Sequence, residues 1–386
     1  MTGEILFLAH RLPWPPDRGD RIRSWHMLRA LAKLAPVHVI APVDDPADLI
    51  HVPAVEAVAA SVVAQPRGSK LAGIARALRT GMPASVATFV VPGLEAAVAA
   101  RIATGRIGTV FAFSSQMAHY VPHELAARFV MDFVDMDSAK FASLGAKAYG
   151  LSGFALRREA SRLFNWEVAT ARRADVSLFV SEAEAAMFCS RTGLAAQVVE
   201  NGVDAEHFSP AAVVPASAPH PLIVFTGQMD YAPNVEAVTA FARDTLPLIR
   251  QAHFAIVGRG PTAAVRALAS ERVTVTGEVP DTRPWLAAAD VVVAPLLLAR
   301  GIQNKILEAM AMARPVVASS PAAEGIDATD SRHLIVADGP QAQADAITGL
   351  LSDPARAAAI GAAARARVVE RYSWDARLSP LARLIG

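Results

Sequence analysis

Lys305 and Glu308 stand three residues apart in "ARGIQNKILEAMAMARPVVASS", which runs from Ala299 to Ser320 and opens on Ala299, Arg300 and Gly301. Side chains at that spacing share one side of a helix. Ile302, Ile306, Met310 and Ala313 would form its apolar side, with Lys305, Glu308 and Met312 on another. Gly301 precedes the helix, where free backbone N–H groups can meet an anion. Lys305 could then act on a phosphate as a point charge, and Glu308 could accept hydrogen bonds from sugar or ribose hydroxyls. The same spacing suits a solvated ion pair on a helix that only packs, and it does not decide between the two.

Further polar residues follow apolar runs that read as strands. Arg259 in "VGRGP" could meet an anion or be an ordinary turn residue. In "PPDRGDRIR", Gly19 allows close approach of a ligand to the backbone and Asp20 can cap a helix starting near Arg21; Arg18, Arg21 and Arg23 add positive potential or a solvated face. His119 in "FAFSSQMAHYVP" stands beyond a strand end, where it could face a ligand or be a structural histidine. In "VMDFVDMDSAKF", Asp135 could orient an acceptor hydroxyl or act as a base, and Asp135 or Asp137 could instead cap the next helix. Ser181 and Glu184 have the spacing of a reciprocal capping box, a structural role.

The elements that must carry these residues alternate along a chain of 386 residues, 53% hydrophobic and 19% charged, long enough for two domains. "EILFLAH", "VHVIAPV", "TVFAFSS", "RFVMDFVD" and "VSLFVS" read as buried strands between helical stretches, with a further strand in "VEAVAASVVA". The pattern restarts with "LIVFTG", "HFAIVG", "VTVTGEV", "VVVAPL" and "PVVASS". Continuous apolar strands between helices imply parallel sheets covered on both faces. The expected α/β organisation is two doubly wound parallel-sheet domains facing across a cleft. The first occupies 1–205, a Pro- and Ala-rich linker 206–221 and the second 222–366, and the tail at 367–386 carries the aromatics Tyr372 and Trp374 beside charges and should pack. Ligands of such sheets bind at strand carboxyl ends.

Net charge is +1, so nothing overall points to nucleic acid. A lone cysteine, Cys189, excludes an intrachain disulfide and a multi-cysteine metal site. No secretory leader and no apolar run of transmembrane length is evident, so a soluble, cytoplasmic protein is expected. "GSKLAGIARALRTGMP", with basic residues at 70, 76 and 79 and Arg67 just before it, could lie on an anionic membrane surface or form a helix packed on the first sheet.

"GIQNKILEAMAMARPVVASS" closely resembles the donor-binding signature of family four glycosyltransferases of the GT-B fold. The resemblance extends through "PPDRGDRIR", "VSLFVSEAEAAMF", "VVENGVDAEHFSP", "IVFTGQMDYAPN", "IVGRGP", "VTVTGEVPD" and "RYSW", in that order, and is strongest to sugar transferases of bacterial exopolysaccharide assembly. It implies a metal-independent, retaining enzyme that moves a sugar from a nucleoside diphosphate, UDP by default, to a saccharide or lipid-linked acceptor, with no cofactor beyond the donor. It assigns donor binding to Gly19, Asp20, Gly227, Gln228, Arg259, Arg300, Gly301, Gln303, Asn304, Lys305 and Glu308, and catalytic roles to His119, Asp135 and Lys305. Two departures stand out: Arg300 replaces the usual first glutamate of a paired motif, and Gln228 stands where the family carries an arginine, with no lysine after it. A nucleotide-sugar epimerase of related fold and a non-catalytic nucleotide-sugar binder are the alternatives.

Overall fold

The computed structural model describes residues 3–299 and 302–386. The chain divides into two compact units. The N-terminal unit comprises residues 3–201 and 377–386, and the C-terminal unit residues 202–376.

The N-terminal unit holds seven strands: β1 (Glu4–Ala9), β2 (Val37–Val43), β3 (Ser61–Pro66), β4 (Ile107–Phe113), β5 (Arg128–Val134), β6 (Val176–Phe179) and β7 (Gln197–Val198). They form one parallel sheet in the order β3-β2-β1-β4-β5-β6-β7. Phe7 lies opposite Val39 on one side and Phe111 on the other. β1 and β2 are apolar along nearly their whole length because helices cover both faces. The expected strand in "VEAVAASVVA" resolves into a short helix, Val52–Glu56, and β3. Helices used below are α1 (Gly19–Ala32), α2 (Lys70–Thr80), α3 (Asp137–Lys147), α4 (Gly150–Arg173) and α5 (Glu182–Thr192).

The C-terminal unit holds six strands: β8 (Leu222–Thr226), β9 (His253–Val257), β10 (Val273–Gly277), β11 (Val291–Ala294), β12 (Val316–Ala318) and β13 (Ile335–Val336). They too form a parallel sheet, in the order β10-β9-β8-β11-β12-β13. Its flanking helices include α6 (Ala232–Ala240), α7 (Asn304–Ala311) and α8 (Pro354–Arg371). α6 runs on as a wider π-helical turn, Phe241–Thr245, and Pro247 follows in a tighter one. The stretch 206–221 belongs to this unit: Ala216 N–H donates to Pro284 O at 2.9 Å, and Arg365 donates to Phe208 O at 2.9 Å and Ala205 O at 3.1 Å. Tyr372 and Trp374 are buried in it. Beyond them the chain joins the N-terminal unit, where Arg128 donates to Leu384 O at 2.7 Å and Thr109 to Ile385 O at 3.2 Å.

Both sheets reverse winding direction beside their first strand, between β1 and β4 and between β8 and β11. Ligand sites of such sheets lie at these switch points, outside the carboxyl ends. The N-terminal unit is cross-braced beneath its own. Arg23 of α1 grips Asp132 of β5 with both side chains out of water, at 3.0 and 3.2 Å, and donates a third bond to Asn201 at 2.9 Å. Truncating one partner strands a buried charge. Asp132→Ala should therefore cost about 3–5 kcal/mol, read as an earlier denaturant transition of the N-terminal unit; an unchanged midpoint would show that the pair does not brace the sheet.

Candidate functional site

The switch point of the C-terminal unit is built around one lysine. β8 ends at Thr226, and Gly227 follows with no room for a side chain: a Cβ there would sit 2.8 Å from Asn234 Nδ2 and 3.3 Å from Lys305 Nζ. Gly258 after β9 is tighter still, because a Cβ would lie 1.7 Å from Gly227 O. The bare backbone of both turns lets the first turn of α7 swing Lys305 over the end of β8. Its Nζ donates to Asn234 Oδ1 at 2.5 Å and stands 4.3 Å from the centroid of the Phe225 ring. Asn234 is itself buried, and its Nδ2 donates to Gln228 O at 2.9 Å, which fixes which end of the amide faces the lysine.

Burial governs the electrostatics here. It lowers Lys305 to about 8, against the attraction of Glu308. It raises Glu308 to about 7, against the attraction of Lys305. The two are too far apart for an ion pair, and the Glu308 carboxylate has no hydrogen-bond partner among the described residues. A partly buried carboxylate without a donor and a partly buried ammonium with one neutral acceptor are both under-satisfied. The arrangement can take an anion at Lys305 and hydroxyl donors at Glu308. It is a cation and an acceptor waiting for partners, whereas a solvated surface pair would show ordinary ionisation.

Arg259, in the turn after β9, joins the rim through a bond from its Nη2 to Gln228 Oε1 at 3.3 Å. Gln303 is the residue before α7 and Asn304 its exposed first residue. Arg300 and Gly301 lie outside the described residues. Asn234 and Phe225, which position Lys305, were not candidates by sequence.

The N-terminal unit gathers a second polar group at the carboxyl ends of β1, β2 and β3. Asp20 is in the first turn of α1, after Arg18, so it is not the helix cap expected of it. Its side chain instead accepts from Arg11 at 2.6 Å and contacts His10 Nε2 at 3.2 Å. Burial works to raise Asp20, but the bond to His10 and the charge of Arg11 hold it well below the usual carboxylate range. Asp44 takes Arg11 and Arg67, each at 2.5 Å. His10 stacks on Phe113, and burial lowers it. Gly19 meets nothing that a Cβ would disturb. His10, Arg11, Asp44 and Arg67 had no sequence signal, being drawn from three separate loops.

The other candidates make no bond to that group, although His10 acts electrostatically on Asp137. His119 is in the turn after β4 but points to Glu95, 2.7 Å away, on the helix Pro92–Ile102. Asp135 is exposed beyond β5. Asp137 opens α3 and accepts from Gln116 at 3.2 Å. Ser181 caps α5 through Glu184 N–H at 3.3 Å, but the Glu184 carboxylate accepts from Met136 N–H at 2.7 Å, so the capping box is not reciprocal. No group of three or more His, Cys, Asp and Glu able to hold a metal occurs among the described residues.

Residues 220–353, the larger part of the C-terminal unit, match the family model described as glycosyl transferases group 1. A GDP-mannose-dependent alpha-(1-6)-phosphatidylinositol monomannoside mannosyltransferase of Mycobacterium tuberculosis is 30% identical over 237 residues, 54% of this chain and 60% of that protein. A GDP-mannose-dependent monoacylated alpha-(1-6)-phosphatidylinositol monomannoside mannosyltransferase of Corynebacterium glutamicum is 32% identical over 198 residues, 45% of this chain and 52% of that protein. The chain thus spans between half and two thirds of the length of these curated relatives. Among solved structures, a glycosyltransferase from Rickettsia africae aligns over 100% of this chain and 98% of its own, with TM-score 0.63 and 14% identity. The Anabaena protein HepE in complex with UDP aligns over 99% of both chains, with TM-score 0.60 and 15% identity. The two parallel Rossmann-like sheets of this chain match the GT-B α/β architecture.

A terminal phosphate with its last pKa near 6 is about nine-tenths ionised by about pH 7, so most of the pH dependence of its binding above neutrality reports the protein. Lys305 loses its charge as pH rises through about 8, and Glu308 gains one through about 7. Both changes weaken anion binding. Affinity for UDP or GDP, measured by calorimetry, should fall about tenfold between about pH 7 and 9, and Lys305→Met should flatten the profile. A flat wild-type profile would contradict the assignment.

Proposed function

We propose that the protein is a retaining glycosyltransferase that moves a sugar from a nucleoside-diphosphate donor to a saccharide or lipid-linked saccharide, in the cytoplasm, during exopolysaccharide assembly. The observation that carries the reading is the under-satisfied pair at the end of β8: Lys305, buried enough to fall to about 8, and Glu308, without a hydrogen-bond donor among the described residues. The match of residues 220–353 to a glycosyltransferase model supports it from the same part of the chain. The curated relatives are named as GDP-mannose-dependent, and HepE was solved with UDP; UDP is the base we assign first, with GDP tested beside it.

In the proposed step the bond from the anomeric carbon to the diphosphate oxygen breaks. A bond to the acceptor oxygen forms on the same face, and the acceptor proton passes to the departing phosphate. The leaving diphosphate gains negative charge as it separates. Lys305, held in place by Asn234 and Phe225, offers a fixed cation at low dielectric, where it acts most strongly. Arg259, Gln228, the turn at Gly227 and the residue Gly301 are assigned to the phosphates, with Gln303 and Asn304 at the start of α7. Glu308 is assigned to the ribose hydroxyls. In the N-terminal unit, Gly19 and Asp20 are assigned to the donor loop, His119 to the sugar and Asp135 to the acceptor. Arg300 is assigned to the donor in place of the family's glutamate.

Release of nucleoside diphosphate from UDP- and GDP-sugars, with and without saccharide acceptors, tests the reading. Release should require acceptor and leave the anomeric configuration of the product unchanged by NMR. Lys305→Met should lower kcat about 10²–10³-fold. Glu308→Ala should lower kcat/KM about tenfold or more. Donor interconversion without acceptor would mark an epimerase, and nucleotide binding with no release across an acceptor panel would mark a binding protein.

A further inference from the structure

α2 is packed with its apolar stripe facing outward. Leu71, Ile74 and Leu78 fall on one side of the helix, at i, i+3 and i+7, the spacing that normally faces a core. Here Leu71 is 78% and Leu78 68% exposed. The buried residues of α2 are Gly73 and Ala77 instead. Gly73 abuts Thr88 so closely that a Cβ would come within 2.7 Å of its backbone, so the small-residue side is the one built to pack. Lys70 and Arg79 flank the exposed stripe, both exposed and without a partner among the described residues.

A second exposed apolar group lies on elements tied to α2. α3 and α4 form a hairpin whose tip shows Leu144, Tyr149, Leu151 and Phe154, with Tyr149 90% and Leu151 89% exposed. Close contacts of Gly145 with Arg157 and of Gly153 with Ala148 O lock the two helices together. α4 is tied to the turn beneath α2: Glu159 accepts from Ala84 N–H at 2.9 Å, Ser85 N–H at 2.8 Å and Ser85 Oγ at 2.7 Å. That turn continues to Thr88, on which Gly73 rests.

Charge identifies what such a surface fits. α2 and the α3–α4 hairpin together carry ten Lys and Arg against three Asp and Glu, while the rest of the chain carries 27 basic and 33 acidic residues. Lys70, Arg79, Lys147 and Arg158 are exposed and unpaired among the described residues, and exposed Lys140 faces Asp137 on its own helix. Exposed Leu, Ile, Phe and Tyr ringed by unpaired cations match a surface with apolar depth and negative charge. A second copy of this chain would bring the same cations against each other.

We propose that the outward face of α2 and the tip of the α3–α4 hairpin dock on an anionic lipid bilayer, the apolar side chains entering the headgroup boundary and the cations meeting lipid phosphates. No helix among the described residues is long and apolar enough to cross a membrane, so the contact is peripheral. The surface stands on its own observations; that it brings a lipid-linked acceptor to the enzyme rests on the reading above.

Sedimentation of the full chain with sucrose-loaded vesicles tests it. Binding should be strong to equimolar phosphatidylglycerol and phosphatidylcholine, weak to phosphatidylcholine alone, and reduced by salt. Lys70→Glu with Arg79→Glu, and separately Leu71→Ser with Leu78→Ser, should each lower partitioning about tenfold or more. Leu151→Ser with Phe154→Ser should do the same from the other group. All these positions are exposed, so thermal transitions should stay in place. The proposal is overturned if wild type stays in the supernatant, if both vesicle types bind it equally, if the variants bind as wild type does, or if the variants instead dissolve a dimer. Calorimetric nucleotide binding on the same preparations separates the claims: nucleotide binding without vesicle binding defeats only the surface, and the reverse defeats only the transfer reading.

Discussion

The second half of this molecule is organised around keeping one ammonium group partly out of water. Burying Lys305 is unfavourable, and Asn234 and Phe225 offset only part of that loss, one with a neutral oxygen and one with a ring face. The fold accepts the remainder along with a second under-satisfied group, Glu308, one turn along the same helix. Two bare turns, at Gly227 and Gly258, exist so that α7 can approach the strand ends this closely. A side chain at Gly227 would displace Asn234 and Lys305, and one at Gly258 would strike the Gly227 backbone. A fold that needed only stability would have placed a neutral residue at 305; an unpaired cation of this kind is what an anionic ligand completes.

The N-terminal unit handles charge in the opposite way. Arg23 and Asp132 are sealed against each other, and Arg11, Asp20, Asp44 and Arg67 neutralise one another in a connected group. Charges satisfied internally shape loops and brace a sheet. The charges that this unit leaves open are elsewhere, on the outward side of α2 and the α3–α4 hairpin, where they surround exposed apolar side chains. The two halves therefore separate binding by chemistry: a dry, specific cation in one, and a broad basic and apolar surface in the other.

Much of the fold is legible along the chain. Parallel strands covered on both sides leave continuous apolar runs, and β1, β2, β8 and β11 stand out for that reason. Lys305 and Glu308 are legible because helical spacing pairs them. What pairs across the fold is not. Asn234 is 71 residues from Lys305, and nothing local marks its amide as the lysine's acceptor. Arg11 meets Asp44 across 33 residues for the same reason. Asp20 has the type and place of a helix cap, yet its carboxylate is shared between Arg11, Arg18 and His10 as well as the Arg21 backbone N–H. Ser181 keeps its capping bond, whereas Glu184 prefers a backbone N–H at the end of β5. α2 shows a limit of another kind. An amphipathic pattern says that a helix has two faces, but Gly73 and Ala77 pack more closely than leucines can, and that decides which face turns inward.

The central claim is that a diphosphate completes the site at Lys305. A crystal or cryo-EM structure of the full chain with a nucleoside diphosphate tests it most directly. The account predicts phosphate oxygens within hydrogen-bond reach of Lys305 Nζ at the end of β8, and the ribose hydroxyls on Glu308. Nucleotide bound elsewhere, with Lys305 still held only by Asn234 and Phe225, would contradict it.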